Sequence, residues 1–187
     1  MLSRQWQTAV AEHEAAIEAC IAAARRVDDN QWTQPRDAGK WSPAQQLEHV
    51  ELSYQMVYDA LNGKPPRARL GRVRQFFLRT FVLPKILRTD DFREGVPAPR
   101  EMRPAGPAQE RAVLEELLRT HAATCMEAVL AANRRGARVL HPYFGPLPLL
   151  SMLRLGTSHT RHHTAILARQ PARPAALVAQ GSANSGA

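Results

Sequence analysis

The sequence predicts an all-α protein built as a four-helix bundle. Apolar and small residues recur at helical spacing in four long stretches, and no stretch alternates as a half-buried strand does. The composition is 44% hydrophobic but only 6% aromatic, with Ala, Leu, Arg, Glu and Gln prominent in those stretches, and this favours helix over sheet. We expect one domain over residues 1–170 and a flexible tail over 171–187, where Pro, Ala, Gly and Ser dominate.

The first two helices are predicted from a repeating apolar pattern and from a helix-start signal. Residues 3–27 carry apolar side chains at alternating spacings of three and four, as one buried helix face requires. At the second start, Ser42 can cap the helix, Pro43 suits its first position and Gln45 completes a capping box. This helix should run to about Leu61, before an Asn-Gly pair and two prolines.

The second half of the chain holds the other two bundle helices after a long connection. Residues 69–87 predict an additional helix among many arginines, bent or ended at Pro84. Residues 89–107 contain four prolines and little periodicity, so we expect a long irregular crossover. Helical patterns resume over residues 110–132 and, after a turn-rich segment, from about residue 147 or 148 to 168.

Charge, hydropathy and cysteine usage narrow the class of protein. Segment 64–103 holds eleven Lys and Arg against four Asp and Glu, but it lacks a nucleic-acid motif, so we interpret it as a solvated basic face and expect no nucleic-acid partner. No stretch is long and apolar enough to span a bilayer, and the N-terminus lacks a signal-peptide core. A cytoplasmic protein without a membrane partner is therefore expected. Cys20 and Cys125, without CxxC spacing, should be core thiols.

Two histidines on the last helix have metal-chelating spacing. His159 and His163 are four residues apart and so share one helix face, although the glutamate of an HExxH protease motif is missing. Two imidazoles alone bind a metal weakly, and mid-helix His49 is the best candidate for a third ligand. A surface accident or a hydrogen-bonded core pair is the alternative, and His162 is expected near the site rather than on the metal. The remaining histidines are expected to pack or cap: His13, His121 and His141.

Three segments carry a family resemblance. They are the helix start from Trp41 to Val50, the turn His141-Pro142-Tyr143-Phe144-Gly145, and the stretch from His159 to His163. Together they resemble the DinB-like superfamily (DinB/YfiT type), which includes bacillithiol transferase and mycothiol-dependent isomerase type enzymes. The resemblance implies a four-helix bundle, commonly dimeric, that binds nickel, zinc or a similar divalent ion. By the family motifs, the ligand roles fall on His49, His159 and His163.

The expected function is that of a metal-dependent enzyme, either a thiol S-transferase or a related hydrolase or isomerase. A divalent ion on three neutral imidazoles lowers the pKa of a coordinated water or thiol. A low-molecular-weight thiol is the expected cosubstrate, and the arginines at 67, 69, 72, 74 and 79 would help recruit an anionic one. The alternative is a non-catalytic metal-binding bundle acting as a stress-response or binding module. In that case a fourth protein ligand such as Glu48 or His162 would close the coordination sphere.

Overall fold

Four long helices form the bundle that the sequence predicts. The computed structural model describes residues 2–67, 69–92 and 97–172, so the predicted tail lies outside the described residues from residue 173 onward. The helices are α1 Arg4–Arg26, α2 Pro43–Leu61, α3 Arg72–Phe77, α4 Leu83–Thr89, α5 Arg111–Asn133 and α6 Leu149–Ala168, and the strands are β1 Arg138–His141 and β2 Gly145–Pro148. In the bundle, α1 packs mainly on α6 and α2 mainly on α5.

The start of α2 is fixed by the predicted capping box. The Gln45 backbone N–H donates to the Ser42 hydroxyl at 3.3 Å, and the Ser42 backbone N–H donates to the Gln45 side-chain oxygen at 3.0 Å. A cap of this kind stabilises a helix by about 1 kcal/mol. Because the cap sets the first turn, it also sets which face of α2 carries His49, two turns later.

The bundle core consists of aliphatic side chains from all four long helices. The largest fully buried residues of these helices include Ile21, Leu47, Val50, Leu114, Leu118, Val129 and Leu167. The two predicted core thiols, Cys20 and Cys125, are both free and buried. Burial raises the pKa of Cys20 to about 11 and that of Cys125 to about 12, so neither thiol is a thiolate at neutral pH.

The additional helix predicted at residues 69–87 forms, but Pro84 does not end it. Residues 72–89, which we name the crossover helix, run continuously through α3, a π-helical turn at Leu78–Val82 and α4. Pro84 has no N–H to offer the carbonyl four residues earlier, and its ring crowds that carbonyl. The wider π turn directly before Pro84 accommodates the proline without a break.

A two-stranded antiparallel hairpin precedes α6, where the sequence predicts only turns. Strand β1 pairs with β2 in a register that places Val139 opposite Leu147 and His141 opposite Gly145. Gly145 has a φ of +70°, and a Cβ added there would lie 2.6 Å from the side-chain oxygen of Gln75. The hairpin thus packs directly on the crossover helix, and only glycine fits at this contact.

Candidate metal centre

Three histidines from two helices bring their rings together inside the bundle. The Nε2 atoms of His49, on α2, and His159, on α6, lie 3.1 Å apart, and those of His159 and His163 lie 3.2 Å apart. The ligand atoms of the three residues all lie within 4.8 Å of one another. His49 and His163 are buried and His159 is partly buried. The predicted convergence of these rings is therefore present in the structure.

Two of the rings are oriented by hydrogen bonds on their outer nitrogens. His49 Nδ1 lies 2.6 Å from the Met102 carbonyl oxygen, and because that oxygen can only accept, Nδ1 carries the proton. His163 Nδ1 lies 2.7 Å from the Gln46 side-chain oxygen and donates to it. In a neutral ring a protonated Nδ1 leaves Nε2 with a free lone pair. Both inward-facing Nε2 atoms are therefore available as ligands.

The donor set fits a cation. His49 and His163 both present lone pairs to Nε2 of His159, and that atom carries at most one proton. At least one of the two short nitrogen contacts is then left without a proton aligned between the atoms, which is unfavourable unless a positive charge lies between them. Three imidazole nitrogens on an ion at about 2.0–2.1 Å lie roughly 2.9 Å apart at right angles and roughly 3.4 Å apart in a tetrahedron. The two separations from His159 Nε2, 3.1 and 3.2 Å, lie between these values.

Protonation does not supply that positive charge. Burial lowers the pKa of His159 and His163 well below the usual value, and repulsion from neighbouring histidines lowers both further. Burial also lowers the pKa of His49, although its bond to the Met102 carbonyl acts in the opposite direction. The three rings are therefore neutral at neutral pH, which is the state that binds metals.

The two residues considered as a fourth ligand are directed elsewhere. The Glu48 carboxylate accepts a hydrogen bond from the Ala105 backbone N–H at 3.4 Å. The His162 ring packs 5.3 Å from the Phe92 ring and lies 5.2 Å from the His163 ring. Within residues 2–67, 69–92 and 97–172, no other His, Cys, Asp or Glu joins the three-histidine group. This set of ligands leaves coordination positions open.

Two of the remaining histidines, His141 and His13, have the expected capping and packing roles, whereas His121 pairs with a carboxylate. His141 Nδ1 accepts the backbone N–H groups of Tyr143 and Phe144 at 3.1 and 3.3 Å and so caps the hairpin turn. Burial lowers its pKa to about 3. His13 is buried against the Tyr54 ring, with ring centroids 5.2 Å apart. His121, on the α5 side of the bundle, pairs with the Glu51 carboxylate.

A large cavity adjoins the three rings. Its volume is about 1060 Å³, and all three histidines line it. It follows α6 from Met152 to Arg169, a distance of about 25 Å at the helical rise per residue. Beyond the histidines, towards the start of α6, the walls are mainly apolar: Met56, Val57, Met126, Val129, Met152, Leu153 and Leu155.

Cationic side chains collect at the histidine end of the cavity. The basic lining residues are Arg36, Lys40, Arg100, Arg103 and Arg169, whereas Asp37 is the one acidic residue among the described lining groups. Trp41 packs 4.7 Å from the His49 ring, and the Met102 carbonyl orients that ring. The cations at 36, 40, 100 and 103 are close to these two residues in sequence, and Arg169 follows His163 by six residues. The arginines expected to recruit an anion, at 67, 69, 72, 74 and 79, do not line the cavity. Their expected role in recruiting an anion therefore remains a prediction, which no contact in the cavity supports.

Comparison with known protein families shows which family the chain belongs to. The model of the DinB superfamily matches residues 12–167 and so includes all three histidines. The chain belongs to the DinB superfamily. A crystal structure of TT2238, described as a four-helix bundle protein, has a TM-score of 0.54 and 23% identity over 87% of this chain and 97% of that one, which supports the shared fold. No curated protein matches the chain significantly. Among the described residues, no helix has the length and hydropathy needed to cross a bilayer.

Some residues of this DinB-superfamily site are not evident from the sequence pattern. Gln46 lies three residues before His49, on the same helix face, and that spacing could have indicated it as a partner in the site. The Met102 carbonyl comes from a short 3₁₀ turn in the crossover and has no side-chain signal. Phe144 is buried, whereas Trp41 is only partly buried because one side of it lines the cavity.

Proposed function

We propose that this DinB-superfamily protein binds one divalent ion, nickel or zinc, on His49, His159 and His163 and is a metal-dependent enzyme acting on small molecules. One observation carries the proposal. Two unprotonated Nε2 atoms face a third across 3.1 and 3.2 Å, at the wall of a cavity of about 1060 Å³. When bound, the ion lowers the pKa of a coordinated water or thiol.

The chain's own residues prepare the site for the metal and for substrates. Gln46 and the Met102 carbonyl hold two rings in the tautomer that leaves Nε2 free. The apolar walls lower the local polarity and so strengthen electrostatic interactions within the site. The five cations at the histidine end attract an anionic group on a substrate.

The reaction that we favour is S-transfer from a low-molecular-weight thiol. Such a reaction needs space for two molecules, and the cavity of about 1060 Å³ lies at the upper end of the range of roughly 300–1,000 Å³ for small-molecule sites. A carboxylate-bearing thiol suits the cationic end, and an apolar electrophile suits the methionine- and leucine-lined end. With an epoxide, the S–C bond forms as the C–O bond breaks, and the thiol proton ends on the released oxygen. A related hydrolase or isomerase reaction would use the same end of the cavity.

The alternative is a non-catalytic metal-binding bundle that serves as a stress-response or binding module. That role would suit a closed coordination sphere. Glu48 instead bonds to Ala105, and His162 packs on Phe92, so neither of these two candidates acts as a fourth ligand. The open ligand set beside a large cavity favours the enzyme.

We further propose that the protein is a cytoplasmic homodimer. The support is the family resemblance together with a core that is rich in alanine and poor in aromatic residues, since such bundles often bury more apolar surface by association. Light scattering would distinguish the dimer from a monomer of 20.8 kDa.

Metal titration tests the first part of the proposal. Protein purified without a His-tag and stripped with a chelator should bind about one equivalent of nickel or zinc by calorimetry. His159→Ala should lower the affinity by several orders of magnitude, whereas the neighbouring His162→Ala should have the smaller effect of about ten- to a hundredfold. If the wild-type protein cannot be loaded with any divalent transition metal, the metal-site proposal is wrong.

Thiol consumption tests the second part. Metal-loaded protein, N-acetylcysteine and styrene oxide are incubated, and the thioether is measured by mass spectrometry, with His159→Ala as the control. We expect product only with the loaded wild-type protein. Full metal binding without turnover of any thiol–electrophile pair would instead support the non-catalytic module.

A further inference from the structure

The outer face of the crossover helix exposes large apolar side chains to solvent. Their exposed fractions are 71% for Val73, 53% for Phe76, 55% for Phe77, 66% for Phe81 and 39% for Val82. These five are most of the large exposed hydrophobic residues among the described residues, the others being Leu2 and Val113. We name them the aromatic face. A concentrated apolar patch of this kind marks an interaction surface.

The aromatic face is ordered by the opposite side of the same helix. Leu83 and Ile86 are buried, and the buried Gln75 side chain reaches the Pro142 carbonyl at 3.4 Å. On the outer side the Phe77 and Phe81 rings stack, with centroids 6.0 Å apart. The face is thus a fixed surface on the fold rather than a loose segment.

The charge around the aromatic face is entirely of one sign along the helix. Residues 72–89 contain no Asp or Glu and five basic residues, namely Arg72, Arg74, Arg79, Lys85 and Arg88. Lys85 bonds to the Asp91 carboxylate at 3.2 Å just beyond the helix end. Arg79 bonds to the Phe144 carbonyl at 3.4 Å, whereas Arg72, Arg74 and Arg88 are exposed and give the outer surface of the helix a positive charge.

We propose that the aromatic face docks on an anionic phospholipid surface, with the crossover helix lying flat in the interface. Exposed phenylalanines beside arginines are the signature of such helices, because the rings enter the acyl boundary while the cations contact lipid phosphates. A second copy of the chain would bring its own arginines against these, and the helix offers no acid to pair with them. The sequence-based expectation of no membrane partner considered only spanning segments, and this docking needs none.

The position of the helix gives the docking a functional use. Leu78 and Ile86 of the crossover helix line the large cavity, as does Val82 at the edge of the aromatic face. The helix therefore lies between the exposed rings on its outer side and the cavity on its inner side. An apolar substrate could then pass from the lipid into the apolar end of the cavity. The docking itself does not depend on the metal or on the proposed reaction.

Vesicle sedimentation of the full-length, metal-free protein tests the proposal. One set of vesicles is pure phosphatidylcholine, and the other contains about 30% phosphatidylglycerol. We expect binding to the anionic vesicles, with loss at high salt. Phe77→Ser combined with Phe81→Ser should lower the partition coefficient at least about tenfold, since two exposed rings lose their contact with lipid. Val113→Ser, an exposed apolar residue on α5, is the matched control and should bind like the wild type.

A charge-matched pair of variants tests the role of the arginines. Arg72→Gln with Arg74→Gln should weaken binding about fivefold for each arginine, whereas Arg134→Gln with Arg135→Gln, the same charge change at the end of α5, should have a much smaller effect. Circular dichroism verifies the fold of every variant. Equal binding to both kinds of vesicle, no binding to either, or unchanged binding by the Phe77→Ser/Phe81→Ser variant would overturn the proposal. A second result would also overturn the proposal. In it the wild-type protein is a dimer by light scattering and binds no vesicles, and the Phe77→Ser/Phe81→Ser variant is a monomer.

Discussion

Replacement of Gln46 tests whether the hydrogen bond on His163 prepares that ring for a metal. Gln46 is buried, and its side-chain oxygen lies 2.7 Å from His163 Nδ1. In Gln46→Leu this acceptor is lost. The ring proton is then free to move to Nε2, where it can be donated to His159 Nε2 at 3.2 Å. A metal would have to displace that proton before binding.

The expected loss is a ten- to hundredfold weaker metal affinity. Residues that orient a ligating histidine through its outer nitrogen typically contribute this much, which corresponds to about 1.4–2.8 kcal/mol. Gln46→Glu should retain or strengthen affinity, because a carboxylate accepts the same Nδ1 proton. The His49 ring should be unaffected in both variants, since its partner is the Met102 backbone carbonyl.

Calorimetric titration of the stripped variants with nickel and zinc measures the effect. Gln75→Leu is the matched control, because Gln75 is equally buried but bonds to the Pro142 carbonyl in place of a histidine. Its affinity should stay within about threefold of the wild type. If Gln46→Leu binds metal as tightly as this control, packing alone orients His163 and the tautomer argument is wrong.

Two further predictions concern stability. Burial lowers the pKa of His13 from 6.5 to about 4, so stability is fully present above pH 6.5 and falls as the pH drops towards 4. Because of this one residue, the free energy of unfolding of the metal-free protein should fall by about 2 kcal/mol between pH 8 and pH 5. Urea unfolding at the two pH values should show a smaller fall for His13→Gln. Gly145→Ala should destabilise by about 1–3 kcal/mol, because the new Cβ meets the Gln75 oxygen at a positive φ, whereas Gly136→Ala, with open space around it, should cost less.

The bundle could be predicted because its signals are local and agree with one another. The capping box at Ser42 sits directly before an apolar pattern of helical period, and both features require a helix from Pro43. The same agreement of pattern and termini holds for α1 and α5. Pro84 was expected to bend or end its helix; the helix does not end there, because a π turn directly before the proline accommodates it.

The hairpin was not predicted, because its strands are too short to show an alternating pattern of apolar and polar residues. Each has four residues, and β2 contains two prolines, which ordinarily argue against a strand. The pairing is held by the surroundings instead. The turn is capped by His141, and Gly145 packs against Gln75 of the crossover helix. Such contacts join residues far apart in sequence and leave no periodic trace.

In the candidate site, too, the residues with a local sequence signal could be predicted, and those positioned by long-range packing could not. His159 and His163 could be paired from their spacing alone, but their meeting with His49 depends on the antiparallel packing of α2 and α6, which the family pattern supplied. The Met102 carbonyl is a main-chain atom, available whatever residue stands at 102, so no side-chain pattern can indicate it. What determines its position is the path of the crossover. The orientation of the His49 ring therefore depends on the least patterned connection in the chain, and substitutions that shift the 3₁₀ turn at Arg100–Met102 should alter the metal site without touching a ligand.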